Sequence, residues 1–82
     1  MKTLLEILVG QLDEWPEGVE RITQDYDGEC VGWSTYFISI TDGVWHQYGF
    51  AENKAELVFK ATLSSDWNTA IITKQQWLDA KK

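Results

Sequence analysis

Val19-Glu20-Arg21-Ile22-Thr23-Gln24, Asp25-Tyr26-Asp27-Gly28, Glu29-Cys30-Val31-Gly32-Trp33 reads as one β-hairpin, and Tyr36-Phe37-Ile38-Ser39-Ile40-Thr41, Asp42-Gly43, Val44-Trp45-His46-Gln47-Tyr48 as a second. Asp-Gly between β-rich runs is the strongest short-range hairpin signal, because a type I′ turn needs positive φ at both central residues. With Asp42-Gly43 as the loop, Thr41 faces Val44, Ile40 faces Trp45, Ile38 faces Gln47 and Phe37 faces Tyr48. With Asp27-Gly28 as the loop, Gln24 faces Val31 and Ile22 faces Trp33. Opposed residues share a face. Ile22, Val31, Trp33, Ile38, Ile40 and Trp45 are therefore expected on one apolar face, and Thr23, Asp25, Cys30, Ser39 and His46 on the other.

Outward from this stretch, Thr3 and Glu6 make a capping box, which starts a helix at Leu4. Leu5, Leu8, Leu12 and Trp15 recur at spacings of three and four and predict the stripe that packs on the sheet. Gly10 inside that helix points to a close backbone contact, and Pro16 ends the element after Trp15. Gly32 and Gly49 mark bulges or a large neighbour over the backbone, and Ser34-Thr35 joins the hairpins.

Glu52 to Leu63 fits two templates: a helix capped by Asn53 with Glu56, or a strand alternating through Leu57, Phe59, Ala61 and Leu63. The β-rich residues favour the strand, continuing a meander through Glu52-Asn53-Lys54. Ser64-Ser65-Asp66 is a turn, and Ala70-Ile71-Ile72 a short buried strand. Thr73 with Gln76 caps a helix over residues 74–81, Ile72 and Trp77 occupy its staple positions, and Lys81 and Lys82 suit its negative end. The expected fold is one α+β domain over residues 1–82: an N-terminal helix, an antiparallel β-meander of five to six short strands, and a short C-terminal helix. Both helices should pack on one sheet face through Leu5, Leu8, Leu12, Trp15, Trp77 and Leu78.

Eighty-two residues suffice for one modest core, and 44% hydrophobic with 24% charged residues describes a globular chain. No apolar run approaches the roughly 20 residues of a membrane span. Glu6 within the first apolar run argues against a signal peptide, and a single cysteine fits a reducing cytoplasm. Residues 1–29 carry eight acids against two bases, a net −6, whereas residues 30–82 balance at five of each. A field of that sign repels nucleic acid and attracts basic protein surfaces.

The sequence offers little catalytic chemistry. Cys30 and His46 are the only thiol and imidazole, and nothing supplies an orienting group or an oxyanion site for such a pair. Asp25-x-Asp27-Gly28-Glu29 is reminiscent of a calcium loop, but glycine falls fourth and Cys30 sixth, so the hairpin turn accounts for it. The chain lacks ligands for a zinc site and has no glycine-rich phosphate loop, so no cofactor is expected. Scattered Lys54, Lys60 and Lys74 make no basic track for nucleic acid.

Five tryptophans, three tyrosines and three phenylalanines are more than so small a core can hold. Trp15, Trp33 and Trp77 are expected inside, and Tyr26, Phe37, Trp45 and Tyr48 outside as interface residues. With Asp13, Glu14, Glu17, Glu20, Asp25 and Asp27 they make up the candidate partner-binding set, in which the six acids could stand in for DNA phosphates.

Leu4-Leu5-Glu6-Ile7-Leu8 running to Trp15-Pro16-Glu17-Gly18, then Ile22-Thr23-Gln24-Asp25-x-Asp27-Gly28-Glu29, and finally Ser65-Asp66-Trp67-x-x-Ala70-Ile71-Ile72-Thr73-x-x-Gln76-Trp77 carry a resemblance. Together they resemble small accessory proteins encoded by phages and prophages of enterobacteria; Tyr36 to Phe50 lies outside the likeness. The resemblance implies a phage-derived protein acting in the bacterial cytoplasm, of the kind that binds and blocks host restriction, CRISPR or transcription machinery. A non-enzymatic inhibitor of a host protein is thus the leading expectation, with a basic nucleic-acid-binding surface as the candidate target. A self-associating structural or assembly protein of the phage is the second, and an enzyme using Cys30 and His46 the third.

Overall fold

The computed structural model describes residues 1–34, 37–48 and 56–82. Tyr36, the Thr35 half of the connection between hairpins, Gly49, Phe50, the Glu52-Asn53-Lys54 continuation and the Asn53 cap lie outside these residues. The elements are α1 (Leu4–Gln11), β1 (Arg21–Gln24), β2 (Glu29–Trp33), β3 (Ile38–Thr41), β4 (Val44–Gln47), β5 (Glu56–Lys60), β6 (Ile72–Thr73) and α2 (Lys74–Lys81). The α+β class is as expected, and residues 56–60 are strand. The strands, however, divide between two sheets: four in the order β5-β2-β1-β6, and the β3-β4 hairpin on its own. The meander breaks after β2, whose second neighbour is β5 (Cys30 opposite Phe59, Gly32 opposite Glu56) and not β3.

The second hairpin has the expected register, with Ile40 opposite Trp45 and Thr41 opposite Val44. Asp42 at φ 52° and Gly43 at φ 81° supply the two positive angles of a type I′ turn. The first hairpin is slipped by one residue: Gln24 faces Cys30, Ile22 faces Gly32 and Arg21 faces Trp33. Its loop holds three residues, Tyr26-Asp27-Gly28, closed by Asp25 N–H on the Glu29 carbonyl (2.9 Å) and Gly28 N–H on the Asp25 carbonyl (3.0 Å). Of these three only Gly28 has positive φ (92°), so the turn needs one left-handed residue rather than two.

That slip re-sorts the faces. Ile22, Cys30 and Ile72 join Leu4, Leu8, Val19 and Trp77 in one buried cluster beneath the helices. Trp33, Ile38 and Trp45 form a second, with Val31, Ile40 and Ile71 packed against it. The four-stranded sheet is thus covered by helices on one side and by the β3–β4 hairpin on the other, and β2 buries side chains in both directions. Thr23, expected on the Cys30 face, lies with Trp33 and accepts its indole N–H at 2.9 Å. Gly32 does have a close neighbour: a Cβ there would come within 2.8 Å of the Val19 side chain.

Both capping boxes form, at Thr3–Glu6 and at Thr73–Gln76. The Asp66 carboxylate adds to the first by accepting the Leu4 N–H at 2.8 Å, a negative group at the positive end of α1. α1 buries Leu4, Ile7 and Leu8, while Leu5, Leu12 and Trp15 are only partly covered. It stops at Gln11, a turn before Trp15, with Leu12 extended. Asp13 and Glu14 would otherwise lie at the negative end of the helix, which disfavours its extension. Trp15 packs all the same, its indole N–H on the Val19 carbonyl (2.6 Å) and its ring 6.0 Å from that of Trp77. Trp77 ties α2 to α1 through the Leu8 carbonyl at 3.1 Å. Leu78 is not part of the packing and is exposed. Nor does Gly10 meet a close contact, since a Cβ there would have no atom within 4 Å.

Candidate protein-interaction surface

Pairing of Ile38 with Gln47 and of Ile40 with Trp45 places these four on one face of the β3–β4 hairpin. Phe37, Ser39, Thr41, Val44, His46 and Tyr48 alternate onto the other. Ile38 and Trp45 face inward and are buried. Trp45, expected at the partner surface, is instead the rivet of the hairpin. Its indole N–H donates to the Gln24 carbonyl at 2.9 Å and the Trp67 carbonyl at 3.1 Å, and its backbone N–H to Asp25 Oδ1 at 2.9 Å. A ring of this size buries much apolar area provided its one donor is satisfied.

Asp25 moves inside for the same reason. Its carboxylate takes the backbone N–H that a neighbouring strand would otherwise have to accept, at 8% exposure. Burial pushes its pKa up, the Trp45 hydrogen bond opposes that, and the charge of Asp27 adds to it. Spacing alone could not place Asp25, because its partner lies twenty residues away on a hairpin whose docking on the first is not set by local sequence.

The outward face is apolar at both ends. Phe37 and Tyr48 meet edge to face, ring centres 5.9 Å apart, each about half exposed (49% and 51%). Val44 is 41% exposed at the turn end. Between them His46 Nε2 and the Thr41 hydroxyl share a hydrogen bond of 2.8 Å. Tyr26, 60% exposed, belongs to the other hairpin, yet it seats its ring base on Gly43 and donates its N–H to the Gly43 carbonyl at 2.9 Å. The two turns therefore form one tip, bearing Tyr26 and the exposed Asp27 and Asp42. Sequence reasoning placed Asp42 in a turn and nowhere else. The signal it missed is that residues 22–53 hold five acids and not one lysine or arginine.

Asp13, Glu14, Glu17 and Glu20 are exposed in the loop before β1. Asp27 lies beyond the far end of that strand. Five extended steps from Glu20 to Asp25 span about 17 Å. The six acids proposed as phosphate stand-ins are accordingly split between two ends of the sheet, with Asp25 withdrawn inside.

Three carboxylates, of Asp25, Asp27 and Glu29, lie within 4.8 Å of one another and could converge on a cation. Two already have structural duties: Asp25 holds Trp45, and Asp27 Oδ1 accepts the Glu29 N–H at 3.1 Å. Cys30 and His46 do not meet. Cys30 is fully buried on the helix side, where burial and then the charge of Asp25 push its thiol up to about 12, whereas His46 is exposed on the outer hairpin face. A groove of about 390 Å³ runs between α1 and residues 61–63, floored by Ile7, Gly10 and Ala61. Glu6 on its rim is occupied in capping α1, and that hydrogen bonding lowers its pKa.

Comparison with protein-family models, with curated proteins and with solved structures finds no match to this chain.

Proposed function

We propose that this chain is a phage-encoded, non-enzymatic protein-binding module that acts in the bacterial cytoplasm by binding and inhibiting a host protein, such as a component of a restriction or CRISPR defence system. The observation that carries the binding role is the outer face of the β3–β4 hairpin, with Phe37, Val44 and Tyr48 exposed on a scaffold that Trp45 pins down from beneath. Exposed aromatics on a rigid element suit recognition, because little conformational freedom is lost on binding. The phage origin and the inhibitory role are supported by the resemblance of residues 4–18, 22–29 and 65–77 to phage and prophage accessory proteins. The thiol of Cys30, buried and held protonated, is poorly suited to nucleophilic chemistry, which favours binding over catalysis.

A tagged pull-down from an enterobacterial lysate at low and moderate salt tests this reading. The expected result is one stoichiometric host protein, captured less well as salt rises, whose own activity falls when the purified chain is added. A captured protein whose activity is unchanged would overturn inhibition.

The second reading is a phage structural or assembly component acting by self-association. The same apolar outer face supports it, since Phe37 and Tyr48 could close against a second copy. A sedimentation coefficient that rises with concentration would favour it.

A further inference from the structure

The two turns form one tip, from which the outer hairpin face runs through Val44 and the exposed His46–Thr41 pair to Tyr48. Tyr26 stands at the tip with Asp27 beside it in the chain and Asp42 next to Gly43, the residue on which Tyr26 rests. Val44 carries the surface onto the start of β4, and Tyr48, about 13 Å further along the chain, stands at its far end. Among the described residues none of these acids is ion-paired; the nearest base by register is Lys60, opposite Glu29 on β5. Exposed carboxylates on the same tip as an exposed aromatic ring are complementary to a cation that can lie on the ring face and pair with that charge. The apolar residues behind them are complementary to a neighbouring aliphatic or aromatic side chain, in the usual arrangement of apolar centre and charged rim.

We infer that Tyr26, Asp27, Asp42, Val44 and Tyr48 form a docking surface for a protein segment in which an arginine or lysine sits beside an apolar side chain. The basic side chain stacks on Tyr26 beside the aspartates, and apolar side chains further along the segment cover Val44 and then Tyr48. This inference rests on the reading of the chain as a protein-binding module and names the chemistry of its partner. The occupant is protein rather than nucleic acid because the surface offers phosphates only like charge. It is a foreign segment rather than a second copy because the opposing tip would bring the same carboxylates. The loop acids Asp13, Glu14, Glu17 and Glu20, about 17 Å away along β1, are outside it.

The test is a titration of the isotope-labelled chain, followed by its backbone amide signals, with an end-blocked hexapeptide alternating arginine and leucine. The control is the same peptide with glutamate in place of arginine. Saturable shifts at Tyr26, Asp27, Asp42, Val44 and Tyr48, absent with the control peptide, are expected. Asp42→Asn should weaken binding roughly threefold and reduce its salt dependence, as loss of a rim charge does. Tyr48→Ser should weaken it roughly tenfold or more, as loss of an aromatic anchor does. Both positions are exposed, so an unchanged amide spectrum elsewhere will show that the variants fold. Shifts centred on residues 13–20, no saturable shift, or equal shifts with the glutamate peptide would overturn the inference. So would a dimer at titration concentrations that Tyr48→Ser dissolves, since the face would then be closed by a second copy. The two readings fail separately: a host protein inhibited equally by the native chain and an Asp42→Asn/Tyr48→Ser variant removes this surface and leaves the function. Peptide binding here with no host protein inhibited does the reverse.

Discussion

The indole N–H of Trp45 donates across the interface between the two hairpins to the backbone carbonyl of Gln24, at 2.9 Å. This bond joins the separate β3–β4 sheet to the four-stranded one, and the same N–H is shared with the Trp67 carbonyl. Trp45→Phe keeps most of the buried ring but leaves the buried Gln24 carbonyl and the partly buried Trp67 carbonyl without this donor, at an expected cost of about 1–3 kcal/mol. Trp45→Ala also opens a cavity and should cost about 3–5 kcal/mol. Urea unfolding monitored by circular dichroism will measure both. A Trp45→Phe variant as stable as the native chain would mean that the hairpin is not held this way.

Gly28 and Gly10 are predicted to respond oppositely to alanine. At Gly28 the backbone has φ 92°, and a Cβ would press on the Ala61 carbonyl oxygen. The left-handed conformation alone costs about 1–2 kcal/mol with a side chain, and the contact adds to that. At Gly10 a Cβ meets nothing within 4 Å, and the residue is helical. Gly10→Ala should therefore stabilise the chain by about 0.5–1 kcal/mol. Thermal melts of the two variants, read beside the native chain, should move in opposite directions.

These two glycines also show what the sequence reveals and what it conceals. Both capping boxes, the β3–β4 turn and its register follow from residues within a few positions of one another, so local chemistry dictates them. Asp27-Gly28 resembles Asp42-Gly43 in sequence, yet it closes a three-residue loop with Gly28 alone left-handed, and the register slips by one. That choice is made by long-range partners: Ala61 N–H on the Gly28 carbonyl, and Tyr26 N–H on that of Gly43. The burial of Asp25 and Trp45 was illegible for the same reason, being set by the docking of one hairpin on the other. Tyr26, Phe37 and Tyr48 are exposed as a surplus of aromatics over core volume leads one to expect, but that surplus does not say which ring goes in, and Trp45 does.

Asp25 gives a pH signature. Burial raises its pKa above the ordinary 3.8, so between that value and its folded pKa the native state binds more protons than the unfolded one. Its contribution to stability is greatest below the unfolded pKa and is lost as pH rises through the folded one. Asn at this position keeps an oxygen to accept the Trp45 N–H but never ionises. The stability of Asp25→Asn relative to the native chain should therefore increase as pH is raised through the carboxylate range and then level off above it. Denaturant midpoints for both proteins, taken from acid to neutral pH, test this; a constant difference would mean that Asp25 does not titrate differently on folding.

Cys30 supplies a probe of opening that needs no substitution. Its thiol is fully buried beneath the helices and pushed up to about 12, first by burial and then by the charge of Asp25. Only the thiolate reacts with iodoacetamide, and both access and ionisation are denied it in the folded chain. At mildly alkaline pH the native protein should stay unmodified by mass spectrometry over a period in which the urea-unfolded chain is fully alkylated. Trp45→Phe loosens the hairpin on the opposite side of the four-stranded sheet from Cys30. If the helix layer and the hairpin open as one unit, alkylation will accelerate in proportion to the lost stability. If the hairpin opens alone, Trp45→Phe will leave the rate unchanged, while Thr73→Ala, which removes the cap of α2 beneath which the thiol lies, will raise it.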